Sequence, residues 1–280
     1  MKKLLILGIS VLPLFSSAQL HLNLFGGLAN YQGDLQEKPL TFQQANGAFG
    51  VGLTYDLSNH FGVRTGLMYG KVAADDKRNK NNVYNRNLNF ESGIFEGNLM
   101  LEYNLFDLDE KRFTPYAFAG AAIYKFNPFT HDTLGNKIYL RPLSTEGQGL
   151  AAYPDKKPYK LTQFAIPFGG GIKIRLSDNV IIAYEIGLRK LNTDYLDDVS
   201  TSYVDETLLL AERGPRAVEI SYRGDELKNG DPNYPLAGTL RGGEKQKDWY
   251  YFQGIHLSIG LNTGRLLGNK SSVDCPRRVL

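Results

Sequence analysis

The 280-residue chain has one cysteine, three methionines and one tryptophan. A single cysteine excludes an internal disulfide framework and any zinc or iron–sulfur site built from several thiolates. Net charge is scarce as well. Lys and Arg number 32 against 29 Asp and Glu, a formal +3, of which Lys2 and Lys3 belong to an expected leader. That balance gives no basic stripe for nucleic acid and no charged membrane-surface module. Beyond residue 18 there is no apolar run of the ~18 residues that a transmembrane helix needs. Catalytic signatures are missing too. His21, His60, His131 and His256 lack HExxH spacing, and neither GxSxG nor SxxK occurs. Gly169-Gly170-Gly171 lies inside a strand-like run, so it is no phosphate loop. The expectation is a protein that is not an enzyme and uses no cofactor or metal.

Thirty glycines, 17 tyrosines and 15 phenylalanines are present instead, with 42% apolar residues overall. This composition is too apolar for disorder and leans toward β-structure. Residues 1–18, MKKLLILGISVLPLFSSA, read as a secretory signal peptide: a basic start, a short apolar core, and small residues before a cut at Gln19. A secreted chain without a helical span is either soluble or a membrane β-barrel, because only helices and closed barrels satisfy their backbone groups in lipid.

Period-two alternation decides between them. Phe95, Gly97, Leu99, Leu101, Tyr103 and Leu105 alternate with Glu96, Asn98, Met100, Glu102 and Asn104, and Phe49 to Leu57 repeats the pattern. Eight such segments are expected, at 20–31, 47–57, 61–72, 93–106, 114–126, 162–176, 180–192 and 250–263, each long enough to cross a bilayer at a tilt. Tight links follow the second, fourth and sixth segments, and long links follow the others. The fold expected is an all-β, eight-stranded antiparallel up-and-down outer-membrane barrel at 19–264, with outer-membrane lipid around it. Its short turns are expected in the periplasm and its long loops outside the cell, with both termini periplasmic and a tail at 265–280.

The polar faces place Arg64, Glu96, Glu102, Lys125, Lys173, Arg175, Glu185 and Arg189 in the lumen, as structural ion pairs that plug it. Aromatics near strand ends, among them Tyr55, Phe61, Tyr69, Tyr116, Phe126, Phe164 and Trp249 to Phe252, are expected to form interfacial girdles. Asp194, Asp197 and Asp198 lie together in one loop; their spacing is not that of an EF-hand, and a solvated acidic loop is the expectation. The last long loop, about 193–249, can fold over the barrel mouth and is expected to carry a hairpin near Ala217 to Arg223. Cys275, unpaired in an oxidising compartment, suggests an intermolecular disulfide or an idle thiol.

Several stretches are distinctive. They are Asn30-Tyr31-Gln32-Gly33-Asp34-Leu35; Thr114-Pro115-Tyr116 through Gly120, then Phe126-Asn127-Pro128; Leu143-Ser144-Thr145-Glu146-Gly147-Gln148-Gly149; Ile166-Pro167-Phe168-Gly169; and Thr193 to Asp205, TDYLDDVSTSYVD. Through them the chain resembles the PorG-like outer-membrane barrel subunits of the type IX secretion system of Bacteroidota, over essentially its whole length beyond the leader. The resemblance implies a structural barrel that attaches a periplasmic ring of PorK (GldK in gliding species) and PorN (GldN) and is not itself the export channel. It makes Cys275 the candidate for a disulfide to the ring lipoprotein. Separately from the resemblance, a lid packed into the barrel mouth is the expectation for the TDYLDDV loop. The other reading is a barrel for adhesion or envelope integrity, acting through its long loops.

Overall fold

The alternating segments become strands because each has one apolar and one polar face, and closing the sheet gives each face its own medium. The computed structural model describes residues 20–36, 41, 43–78, 85–243 and 247–261. The expected leader, the 265–280 tail and Cys275 lie outside them. The long strands are β1 (Leu20–Gln32), β2 (Asn46–Asp56), β3 (Phe61–Asp75), β4 (Asn89–Asn104), β5 (Phe113–Lys125), β8 (Thr162–Ser177), β9 (Val180–Leu191) and β10 (Trp249–Leu261). A short hairpin, β6 (Phe129–His131) and β7 (Lys137–Tyr139), extends the β4 edge within the third long loop. Each long strand pairs antiparallel with the next, β5 pairs with β8, and β10 returns to β1 from Leu20↔Leu261 to Gln32↔Trp249. The sheet is therefore a closed eight-stranded barrel, which leaves no free edge. At the β1–β10 seam Gly27 faces Gly254, and a Cβ on either would run into the opposite backbone, so only glycine permits that approach.

Strand β4 shows the two media. Glu96, Asn98, Met100, Glu102 and Asn104 are buried in the lumen, while Phe95, Leu99, Leu101 and Tyr103 are exposed on the outside. An apolar side chain is exposed on every long strand: Leu24, Val51, Leu67, Leu99, Ile123, Ile172, Tyr184 and Ile255. A continuous belt of this kind exceeds what a soluble surface tolerates and suits acyl chains. Short turns at 57–60, 105–112 and 178–179 crowd one end of the barrel. Long connections at 33–45, 76–88, 126–161 and 192–248 crowd the other.

Three local expectations change. Lys125 points outward and is exposed, because it shares the parity of Ile123, while Tyr124 faces in. As the last residue of β5 it reaches the rim, where an outward ammonium stays wet. Tyr116, Phe126, Tyr250 and Phe252 are buried inside and belong to no girdle, whereas Phe61, Tyr69 and Phe164 are exposed on the outer face. The expected hairpin at Ala217 to Arg223 is helical: α1 (Glu206–Arg213) is followed by α2 (Pro215–Ser221). The alternation Val218-Glu219-Ile220-Ser221 resembles a strand, yet Pro215 at the first helical turn presets φ, and Ala217 and Ile220 at i and i+3 both turn inward. Asp205 caps α1 by accepting from the Leu208 N–H at 3.0 Å. Among the described residues neither helix is long and apolar enough to cross a membrane.

Candidate functional site

The distinctive stretches, far apart in sequence, meet over the loop end of the barrel. Tyr31 stands at the top of β1, completely buried. Its hydroxyl donates to Asp197 Oδ2 at 2.5 Å and lies 3.1 Å from Asp248 Oδ1. One hydroxyl proton cannot serve two carboxylates fully, so the trio calls for a second proton held by Asp197 or Asp248. Gly33 packs directly against this trio, and any Cβ there would strike the Tyr31 hydroxyl and Asp248. Asp34 then accepts the Gly243 N–H at 3.0 Å. A Gly33→Ala substitution is expected to push Tyr31 off Asp197. In limited proteolysis the 193–205 segment should then be cut at least about tenfold faster, while the strands stay intact, from the 1–3 kcal/mol that an orphaned buried polar group costs.

Glu146, with no exposed surface, is the hub of the second stretch. It accepts the backbone N–H groups of Ser200 (3.0 Å) and Thr201 (2.9 Å), the Thr201 hydroxyl (2.7 Å) and the Tyr195 hydroxyl (3.2 Å). Its cation is Arg241, Nη1 to Oε1 at 3.1 Å, whose guanidinium also donates to the carbonyls of Asp198 (2.6 Å) and Ser221 (3.2 Å). Asp198 sits in the left-handed region at φ 68°, and its carboxylate accepts from Thr145 (2.5 Å) and Tyr159 (2.6 Å). Gly147, at φ 85°, has the backbone that glycine favours. Asp194 accepts from Ser200 Oγ at 2.8 Å. Arg86 joins the loops from below: it pairs with Asp76 at 2.8 Å and donates to the carbonyls of Asp34 (2.7 Å) and Arg241. The stacked rings of Tyr195, Tyr159, Phe126 and Tyr124 run from this lid into the lumen, at centroid spacings of 5.1, 6.1 and 5.6 Å.

The acidic stretch is thus no solvated loop: Asp194, Asp197 and Asp198 are 2%, 1% and 0% exposed. Burial pushes the Asp194 and Asp198 carboxyls up to about 6. It drives Asp197 and Asp248 well above the usual carboxylate range, with mutual repulsion and Asp34 adding to the effect. Asp34 and Asp76 are raised for the same first reason. Two guanidiniums, Arg86 and Arg241, serve these carboxylates and Glu146. No trio of His, Cys, Asp or Glu among the described residues is placed to hold a metal ion.

Beneath the lid, Arg189 Nε pairs with Glu96 at 3.0 Å, and Glu96 also accepts from Tyr250 (2.7 Å) and Asn98 (2.7 Å). Lower down, Arg64 meets Glu185 (2.6 Å) and Glu102 (3.6 Å), Lys173 meets Glu102 (2.8 Å), and Arg175 meets Asp109 in a turn (2.7 Å). His256 Nε2 lies 3.3 Å from Glu185, and His21 Nε2 lies 2.9 Å from Asp56, so the two histidines serve different acids. Phe118 and Phe252 lie under the Arg64 and Arg189 guanidiniums. The Arg189–Glu96 layer with Tyr250 closes the loop half of the lumen, and the Arg64–Glu185 pair lies at its boundary with the turn half. The turn half is less full than expected: it holds a polar cavity of about 500 Å³.

Sequence reasoning missed Arg86, Arg241, Asp248 and Tyr159. Asp248 carried a faint signal, standing just before the aromatic run that opens β10. Arg241 carried none, since its partners are 43 and 95 residues away.

Fold and site define a class: an outer-membrane-type eight-stranded barrel whose lumen is closed by ion pairs and roofed by its own longest loop. The chain belongs to the family described as "Domain of unknown function (DUF6089)", whose model matches residues 2–213. No curated protein matches it. Among solved structures it is similar to Neisserial surface protein A, at 7% identity over 88% of this chain and 99% of that one, TM-score 0.43. Outer membrane protein OprG from Pseudomonas aeruginosa gives 10%, 86%, 96% and 0.42, and the attachment invasion locus protein Ail of Yersinia pestis 8%, 88%, 99% and 0.41. The strand pairing defines the barrel independently of these likenesses.

Proposed function

We propose that this protein is a non-enzymatic structural component of the outer-membrane part of a type IX secretion system, holding a periplasmic ring of PorK/GldK and PorN/GldN type against the membrane. The closed loop half of the lumen carries the reading. A barrel roofed by its own loop and filled with paired charges offers no conduit, which suits an attachment point rather than a channel. The apolar belt supports residence in the outer membrane, and the crowding of short turns at one end supports that end being periplasmic. The motif resemblance supplies the partner, and Cys275 the covalent link.

The test compares outer membranes carrying the native chain or Cys275→Ser on reducing and non-reducing gels, with affinity capture of the barrel. A heavier, reductant-sensitive band that contains the ring lipoprotein and is missing from the variant is expected. Normal barrel levels without any ring subunit in either sample would sink the anchoring reading. Adhesion or envelope integrity would then lead; its own support is three leucines on the loop side, Leu134, Leu236 and Leu240, which are 84%, 84% and 79% exposed.

A further inference from the structure

The short turns pose a problem for anchoring. Residues 57–60, 105–112 and 178–179 present little surface, whereas a stable protein interface covers roughly 800 Å² per partner. The same end, however, has a concave feature, the cavity of about 500 Å³ in the turn half of the lumen. Its rim includes Ser58, Asn59, Asp107 and Asp109 from the turns, and its wall includes Asn23, Asn104, Lys173, Arg175, His256 and Ser258.

The chemistry of that wall is specific. Its carboxylates are already engaged: Glu102 with Lys173, Asp109 with Arg175, Asp56 with His21, and Asp107 with the Asn59 amide at 2.5 Å. Among the described residues the wall carboxylates Glu102, Asp109 and Asp56 thus each have a basic partner, and Asp107, held by a neutral amide, stands at the rim. What stands without a hydrogen-bond partner among the described residues is mixed: the Oδ1 atoms of Asn23 and Asn104, Nδ1 of His21, both ring nitrogens of His256, and Nε of Arg64 and Arg175. Asn23, Asn104, His21 and His256 are each at least nine-tenths buried. Such a set offers acceptors and donors side by side. Peptide backbone offers the complementary pattern, one N–H and one C=O per residue. Water can satisfy these atoms in the free barrel, and a peptide can replace that water bond for bond without exposing an unsatisfied group.

We propose that this vestibule is the socket for a short extended peptide segment of the ring, inserted from the periplasm between the three turns. The inference rests on the anchoring reading and gives it a location. Above the socket the Arg64–Glu185 pair with Tyr116, and the Arg189–Glu96 pair beyond it, form a floor that a segment cannot pass.

The test uses the full chain in cells that make the ring. Ser258→Trp fills the vestibule from a half-buried position in its wall. Heat-modifiable migration on gels verifies that the barrel has folded. Captured ring protein is expected to fall about tenfold or more relative to the native chain, a tenfold change in binding constant corresponding to 1.4 kcal/mol. In a second arm, which disturbs no buried group, p-benzoylphenylalanine replaces Ser58 at the rim, and the photo-adduct is sequenced. A ring-subunit peptide supports the socket even where Ser258→Trp fails to fold. Undiminished ring capture with folded Ser258→Trp overturns the socket and leaves anchoring standing. An adduct only to this chain's own residues, or no adduct while the ring is captured, does the same. Failure of the native chain to capture any ring protein overturns both.

Discussion

Arg241→Met should release the lid while leaving the barrel closed. The guanidinium ties together three segments of chain: Glu146 from the third long loop, and the carbonyls of Asp198 and Ser221 from the fourth. It is 3% exposed and Glu146 is not exposed at all, so removing the cation strands a buried carboxylate. Breaking one side of a buried pair costs about 3–5 kcal/mol, far more than a surface bridge. The strands share none of these bonds. Amide exchange within 193–205 is therefore expected to accelerate by about two to three orders of magnitude, from that same cost at 1.4 kcal/mol per tenfold, with β1 to β10 unchanged. Methionine retains apolar bulk, so the effect separates the guanidinium's charge and hydrogen bonds from its packing. Unchanged protection of the Ser200 and Thr201 amides in the variant would show that Glu146 does not hold the lid.

Raising the pH should loosen the same lid. Its buried acids are Asp76, Glu146, Asp194, Asp197, Asp198 and Asp248, with Asp34 half-buried beside them. They face Arg86 and Arg241, with Lys247 acting on Asp194. Asp194 and Asp198 are raised from 3.8 to about 6, and Asp197 and Asp248 are raised well above the ordinary aspartate value by burial. An acid whose folded-state pKa is raised prefers its proton in the folded state. Its contribution is complete below the ordinary aspartate value and is lost as pH climbs through the folded value. For Asp194 and Asp198 that loss spans roughly pH 4 to 6 and amounts to on the order of 3 kcal/mol each, at about 1.4 kcal/mol per unit; the Asp197–Asp248 pair loses its contribution in the same direction. Lid protection factors, corrected for intrinsic exchange, should fall as pH rises from 5 to 8. Asp248→Asn should flatten that profile, because the proton between Tyr31, Asp197 and Asp248 is then supplied permanently by an amide. A native profile that is flat, or that rises with pH, would mean the carboxylates are balanced by charge rather than by protons.

How far the sequence reaches can be judged from particular residues. The faces of β4 were legible because period-two alternation is a local property: Glu96 and Leu99 belong to opposite media whatever the rest of the chain does. The alternation of short and long links was legible for the same reason. Lys125 was misassigned because charge was weighted above parity, and at a rim the outside is as wet as the mouth. The 217–223 segment was misassigned because its two-residue alternation fits a strand, and tertiary burial of Ala217 and Ile220 together with Pro215 decided for a helix. Asp194, Asp197 and Asp198 looked like a solvated loop because residue type alone says acidic. Their burial depends on a tyrosine 166 residues from Asp197 and an arginine 43 residues beyond Asp198.

The sequence by itself determined the number of long strands, which face of each meets apolar surroundings, and which end of the barrel carries the loops. These follow from side-chain alternation and turn length, and both are written into contiguous residues. Only the tertiary structure decided how the seam closes through Gly27 and Gly254, that Arg241 and Glu146 lock the lid, and that the turn half of the lumen stays open while the loop half is full. Each of these is a contact between residues far apart in the chain. Its energy depends on burial and distance, which alternation cannot encode.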